Sequence, residues 1–342
     1  MENRSLWVDY SKAIGLLLVV YGHVAHGVKK AGYEMNASLY ELMDSVIYSF
    51  HMPLFFFLSG LHFFSSKQKM GANKMMVSKV DTIIYPFIVW TLLQGALEAQ
   101  LSGLPLSIST ATEVASLLIV PKAHFWFLYA LFCIFLVATL LYRACSKNIA
   151  LMMLPISVGM YLQQSLAVSF LPLSYVFESF IFFSAGVYFN EIKKVFEKDS
   201  LRWCLSFFVL FVAGQYYFHE ILNKNYLDKG LVLMVLALIS IMFVVTLSMQ
   251  LGKKTNAFLY TLGSLSMYVY LMHVIAYSAV RIILHKGFGV DSAVAHLTIG
   301  TAAGLLFPLL FVKLLGRGWL SVLFYPPKLL SVRGLYSKQL YS

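Results

Sequence analysis

Arg4-Ser-Leu-Trp-Val-Asp9-Tyr-Ser-Lys12-Ala-Ile-Gly-Leu-Leu-Leu-Val-Val-Tyr-Gly22-His23-Val-Ala-His26 decides how this chain is read. It is an apolar run with ionisable groups set into it at helical spacing. Lys12 and His23 are eleven positions apart. On an α-helix that is three turns plus about 20°, so the two side chains share one face, about 16 Å apart along the axis. Asp9, three positions before Lys12, neighbours it on the same helix. Ionisable groups at membrane depth are costly, and by default they mark a functional path rather than an anchor.

The rest of the chain is equally apolar. Of its 342 residues 60% are hydrophobic and 12% charged, which excludes an ordinary soluble protein. Apolar runs of about 20 residues, the length a membrane helix needs, recur from end to end. Ten fit, at about 9–27, 44–65, 79–98, 123–143, 148–170, 174–190, 201–219, 229–250, 262–284 and 293–315. Pro155 and Gly159 are kink points in the fifth, and Pro172 is read as closing it. The first run is not a cleaved signal peptide, because Asp9 and Lys12 interrupt it and Gly22-His-Val-Ala-His is a poor cleavage site. The expected fold class is all-α: a polytopic transmembrane helical bundle of about ten helices. One transmembrane domain covers 1–325, and a cytoplasmic tail covers 326–342.

Basic residues set the orientation. With both termini in the cytoplasm, 19 of the 26 Lys and Arg residues fall on the cytoplasmic side, and the excess recurs at each inner loop. The net charge of +11 is then mainly a topology signal, and no nucleic-acid partner is expected. Cys133, Cys145 and Cys204 lack metal or redox spacing, the histidines and acids are dispersed, and no metal site is expected. The longest loop, about 99–122, contains Ser107-Ile-Ser-Thr-Ala-Thr-Glu113, which reads as a capped helix start.

His23 stands near the outer end of the first helix and His51 about seven residues down the second from the same side. Short-looped helices are antiparallel neighbours, which puts the two imidazoles at similar depth. Imidazole takes and returns a proton near neutral pH and so activates a hydroxyl. The other reading is a polar histidine satisfied by a backbone carbonyl. Lys12 either snorkels to lipid headgroups or contacts a phosphate as a point charge. Lys74 and Lys79 carry the same two readings. Pro53 and Ser59-Gly60 in the second helix predict a kink and a close helix approach. His124 and Trp126 open the fourth helix, where tryptophan serves as an interface anchor or as a platform for a sugar ring. Glu178 is expected to be the most buried acid. His273, with Tyr270 one turn away, is either a structural polar cluster or the wall of an active site.

Together these stretches resemble acyltransferase family 3, the membrane-bound sugar O-acyltransferases that include fucose 4-O-acetylase-like proteins. The most specific part is Lys12, ten residues, then His23, preceded by Arg4 and Asp9. Phe55-Phe-Phe-Leu-Ser59-Gly60, Lys79 with Tyr85-Pro86, Trp126-Phe-Leu128 and Ser266-Met-Tyr268-Val-Tyr270-Leu-Met-His273 are similar to later motifs of the family, in order. Lys12 is a departure, since the family often has arginine there; the charge is kept and the bidentate fork is lost.

The resemblance implies an integral membrane O-acyltransferase of the bacterial inner membrane. Such an enzyme moves an acyl group, usually acetyl, from cytoplasmic acetyl-CoA to a sugar hydroxyl of a cell-surface polysaccharide or its lipid-linked precursor. His23 and Asp9 are then the catalytic candidates, His23 as general base or covalent acyl carrier. Lys12, Lys74 and Lys79 would hold the CoA. His51, His124, Trp126, Glu178, Tyr270 and His273 would line the acceptor site. Expected partners are membrane lipid and the glycan acceptor; no appended hydrolase-like domain is expected, so either the bundle acts alone or a partner protein of polysaccharide assembly completes the transfer. Two other classes stand beside this one: a transporter or flippase for a lipid-linked sugar, whose common inverted repeat is not visible, and an acyltransferase with a non-sugar acceptor.

Overall fold

The computed structural model describes residues 5–101, 108–121, 123–142, 147–163, 170–315 and 318–334, and among these residues it contains no β-strand. The helices are α1 (Leu6–Lys30), α2 (Ala37–Tyr48), α3 (His51–Leu61), α4 (Phe63–Met70), α5 (Ala72–Lys79), α6 (Tyr85–Leu101), α7 (Ile108–Ser116), α8 (Trp126–Leu141), α9 (Lys147–Leu162), α10 (Leu171–Lys198), α11 (Ser200–Tyr216), α12 (Leu231–Leu251), α13 (Ala257–Ser264), α14 (Ser266–Ile282) and α15 (Ala293–Leu315). Single π-helical turns follow α5, α11 and α14.

Eight helical stretches among the described residues are long and apolar enough to cross a membrane. Trp126–Leu141 and Met152–Leu162 are shorter apolar helices. Each of the ten runs read from the sequence corresponds to one of these. Leu205, Phe208, Val209 and Val212 stand exposed on α11, as suits a helix whose solvent is hydrocarbon. The chain is a multi-pass, all-helical membrane protein.

Several boundaries differ from those expected. The second run begins at Ala37, where the Asn36 side chain accepts the Leu39 N–H at 3.0 Å as an N-cap. It then breaks at Ser49–Phe50, ahead of Pro53, which stands in the first turn of α3 where a missing N–H costs least. Pro172 opens α10 instead of closing the fifth helix, for the same reason. Pro155 lies inside α9. Ser107, the expected cap, lies outside the described residues.

The chain forms two compact units, Met1–Ser59 with Phe189–Lys313 and Gly60–Tyr188 with Leu314–Ser342. In the first unit α1 is buried along most of its length. A Cβ added at Gly263 of α13 would lie 1.9 Å from the Asp9 carbonyl oxygen, an approach that only glycine permits. The Tyr10 hydroxyl donates to the Lys254 carbonyl at 3.1 Å and accepts the Asn256 N–H at 2.6 Å, pinning the α12–α13 connection to α1. Gly300 and Gly304 of α15 meet Val24 and Val20 respectively, so α15 runs antiparallel to α1.

The second unit has an aromatic core. Phe183 meets Phe63 and Phe135 edge to face, each pair 5.5 Å apart between centroids, the arrangement that ring quadrupoles prefer. Gly60 lies against the Phe183 carbonyl, 2.0 Å from where its Cβ would stand, which is the close approach expected at Ser59-Gly60. Asp81 accepts from Ser331 Oγ at 2.7 Å, the Val332 N–H at 3.0 Å and the Arg333 N–H at 3.2 Å. Those donors offset the cost of burying a carboxylate. They also hold the beginning of the stretch expected to be a tail.

Candidate active site

In the first unit α1 brings His23 to His273 of α14, with ring centroids 5.2 Å apart and planes at 47°. One turn further along both helices, Gly27 lies against Tyr277, so α1 and α14 run parallel. His273 is completely buried and donates its Nδ1–H to the Tyr270 carbonyl at 2.7 Å. A carbonyl oxygen only accepts, so the ring proton is on Nδ1 and Nε2 is the acceptor nitrogen. Tyr270 itself packs with its ring centroid 6.1 Å from that of His273.

His51 is fixed in the same tautomer. Its Nδ1–H donates to the Ile47 carbonyl at 2.8 Å, across the break between α2 and α3. His26 lies one turn beyond His23 on α1, and the Tyr48 ring meets both His26 and His51. His23 and His26 keep solvent-accessible surface, whereas His51 and His273 are 1% and 0% exposed. Of the His23–His273 pair, His23 is therefore the member a molecule can reach. A neighbouring acceptor nitrogen can hold one N–H of that ring and leave its other nitrogen to take a proton.

A second polar chain leads away from the cluster. His26 Nε2 stands 2.7 Å from Asp44 Oδ1 and His26 Nδ1 stands 3.2 Å from the Tyr48 hydroxyl. The carboxylate accepts the Nε2–H, so Nδ1 accepts the tyrosine O–H. The Tyr48 ring stacks on His26 at 4.8 Å and meets His51 edge-on at 4.6 Å. Tyr226, in the loop before α12, packs on Tyr48 at 5.3 Å. Burial first, and the Asp44 carboxylate second, raise the Tyr226 phenol above its ordinary range, which keeps it an O–H donor.

At the other end of α1, Lys12 Nζ stands 3.9 Å from Asp9 Oδ1, with the lysine side chain 30% exposed and the aspartate 1%. In the second unit His124 is 2% exposed with its ring 4.0 Å from Phe125. Trp126 stacks on Tyr175 at 5.5 Å, and Glu178 lies one turn along α10 from Tyr175, half-buried. Lys79 Nζ stands 4.1 Å from the Phe135 ring centroid, a cation–π contact, and Lys74 is exposed.

A family model described as an acyltransferase domain matches residues 5–313. The chain belongs to acyltransferase family 3. No curated protein and no solved structure matches it.

The acyltransferase thus gathers Asp9, Lys12, His23, His51, Tyr270 and His273 in its first unit, and His124, Trp126, Glu178, Lys74 and Lys79 in its second. Asp9 and His23 share α1 but stand 14 residues apart, about 21 Å along the axis, so Asp9 acts on Lys12 and not on the imidazole. Glu178 is not the most buried acid. Among the described residues Asp9 is, at 0% exposure, because the glycine contact with α13 seals it. Sequence reading passed over His26, Asp44 and Tyr48 as site residues. The available signals were an acid inside the apolar second run and a histidine one turn from His23. Among the described residues no group of three His, Cys, Asp or Glu side chains could hold a metal ion.

Proposed function

We propose that this membrane acyltransferase is an O-acyltransferase of the bacterial inner membrane. It moves an acyl group, acetyl in the simplest case, from acetyl-CoA to a sugar hydroxyl of a cell-surface polysaccharide or its lipid-linked precursor. The observation that carries the reading is the accessible His23 beside the tautomerically fixed His273, on a helix whose other end bears Lys12.

In this reading the acceptor hydroxyl gives its proton to His23 as its oxygen bonds to the thioester carbonyl carbon. The tetrahedral adduct collapses, the carbon–sulfur bond breaks, and the departing thiolate takes the proton from the imidazolium, restoring His23. His273, whose Nε2 is the acceptor nitrogen, packs beside the His23 ring and so orients it. General-base catalysis of this kind contributes about 10²–10⁴-fold. Lys12, braced by Asp9, receives a phosphate of CoA. The Lys12–His23 span of about 16 Å covers half of a hydrocarbon core about 30 Å thick, a distance the extended thioester arm bridges. His51 and Tyr270 form the wall behind the imidazoles, and His124, Trp126 and Glu178 serve the acceptor.

The test is transfer of radiolabelled acetyl from acetyl-CoA to cell-surface glycan in membranes containing the protein. Label in glycan is the expected result. Binding of lipid-linked sugar with neither CoA binding nor label transfer would replace the enzyme by a transporter, and label in a non-glycan product would replace the acceptor.

A further inference from the structure

Beyond the imidazole pair, α1 and α14 border a cavity of about 540 Å³ whose walls include Tyr33, Glu34, Arg281, His285, Lys286 and Asp291. That volume lies in the range of small-molecule sites. Arg281 stands eight residues beyond His273 on α14, about 12 Å along the axis. Its guanidinium donates to the carbonyl of Gly27, one turn beyond His23 on α1. One side chain thus borders the cavity and reaches back toward the reacting end of α1. The chain turns on a glycine in the left-handed region in the cavity wall, Gly32 at φ +85°.

The lining carries both signs of charge. Arg281, Lys286 and His285 are donors, Glu34 and Asp291 are acceptors, and His285 Nδ1 stands 3.1 Å from Asp291 Oδ1. Tyr33 presents an aromatic ring, supported from behind by His296, centroid to centroid 4.2 Å. An acyl chain would find charged walls here, and a bare anion would be opposed by two carboxylates. A polyhydroxylated ring uses all of the lining: carboxylates accept from its hydroxyls, the cationic groups donate to its oxygens, and the tyrosine face covers its C–H surface.

We propose that this cavity is a glycan subsite that holds a sugar residue next to the one being acylated. The inference rests on the glycan-acceptor reading given above. The two helical turns from His273 to Arg281 exceed one sugar ring, so a ring in the cavity is a neighbour of the reacting ring. The subsite therefore selects an acceptor of two or more residues over a free monosaccharide.

The experiment uses the full chain in membranes and, as probes, the de-O-acylated surface glycan of the producing cell, its oligosaccharide fragments and its constituent monosaccharides. Asp291→Asn alters an exposed side chain and leaves the fold intact, and Arg281→Met removes the inner guanidinium. Each variant should raise the KM for oligosaccharide about tenfold, the worth of one charge-assisted hydrogen bond. The KM values for monosaccharide and acetyl-CoA should stay unchanged. Equal shifts for monosaccharide and oligosaccharide, or no shift with Asp291→Asn, would overturn the subsite while leaving the acyltransferase reading in place. If the unaltered protein acylates none of the three probes, the acceptor reading falls and the subsite with it.

Discussion

Two histidines of this acyltransferase, His23 in the first unit and His124 in the second, have opposite surroundings. His124 is 2% exposed and packs its ring on Phe125, at the head of a helix whose Trp126 stacks on Tyr175. His23 keeps accessible surface and lies beside His273, with His51 and the His26–Asp44 pair nearby. Both stand at the outer ends of apolar helices in the sequence reading, and neither its type nor its depth separates them. Their surroundings do. Proton transfer to a substrate needs access, whereas a buried imidazole packed on an aromatic ring serves packing or the positioning of a ligand's ring.

That contrast breaks first, and by the largest margin, under paired substitution. His23→Ala should lower the acyl-transfer rate about a thousandfold per folded molecule, while His124→Ala should lower it less than about tenfold. Initial rates at matched membrane levels decide it, and equal losses would erase the distinction. Next, Lys12→Met should raise the KM for acetyl-CoA about tenfold, the loss of one charged contact, with Lys12→Arg restoring it. Lys74→Gln, at an exposed position, should leave that KM unchanged; the reverse pattern would move the donor site to the second unit. Asp44→Asn should lower kcat about fivefold by releasing His26, a change to the orientation of the cluster rather than to its reacting group. The smallest effect belongs to Trp126→Ala. It should raise the acceptor KM about threefold through the lost stacking surface and leave kcat unchanged.

Much of the fold was legible because a bilayer imposes unbroken apolar runs on any chain that crosses it. All ten runs exist as helices in the structure. Boundaries were less legible where one residue type serves two purposes. Pro172 stops a helix in one context and starts one in another, and here it starts α10. The second run starts ahead of its most apolar stretch, at Ala37, because Asn36 caps it there. The site was legible residue by residue and not as a constellation. His23 and His273 are 250 positions apart, and their meeting depends on α1 and α14 packing side by side, which no local pattern encodes. Asp9 was read correctly as a neighbour of Lys12. Its burial follows from a backbone contact with Gly263 that lies at the far end of the sequence.

The central claim is that His23 and His273 act as one unit, with His23 the reacting imidazole. The most direct measurement is a double-mutant cycle on acyl transfer with His23→Ala, His273→Ala and the two combined, each rate normalised to folded protein in the membrane. Residues that act together are strongly non-additive. The account predicts that the double variant is no slower than His23→Ala alone. Losses that multiply, or a His273→Ala variant with full activity, would contradict it.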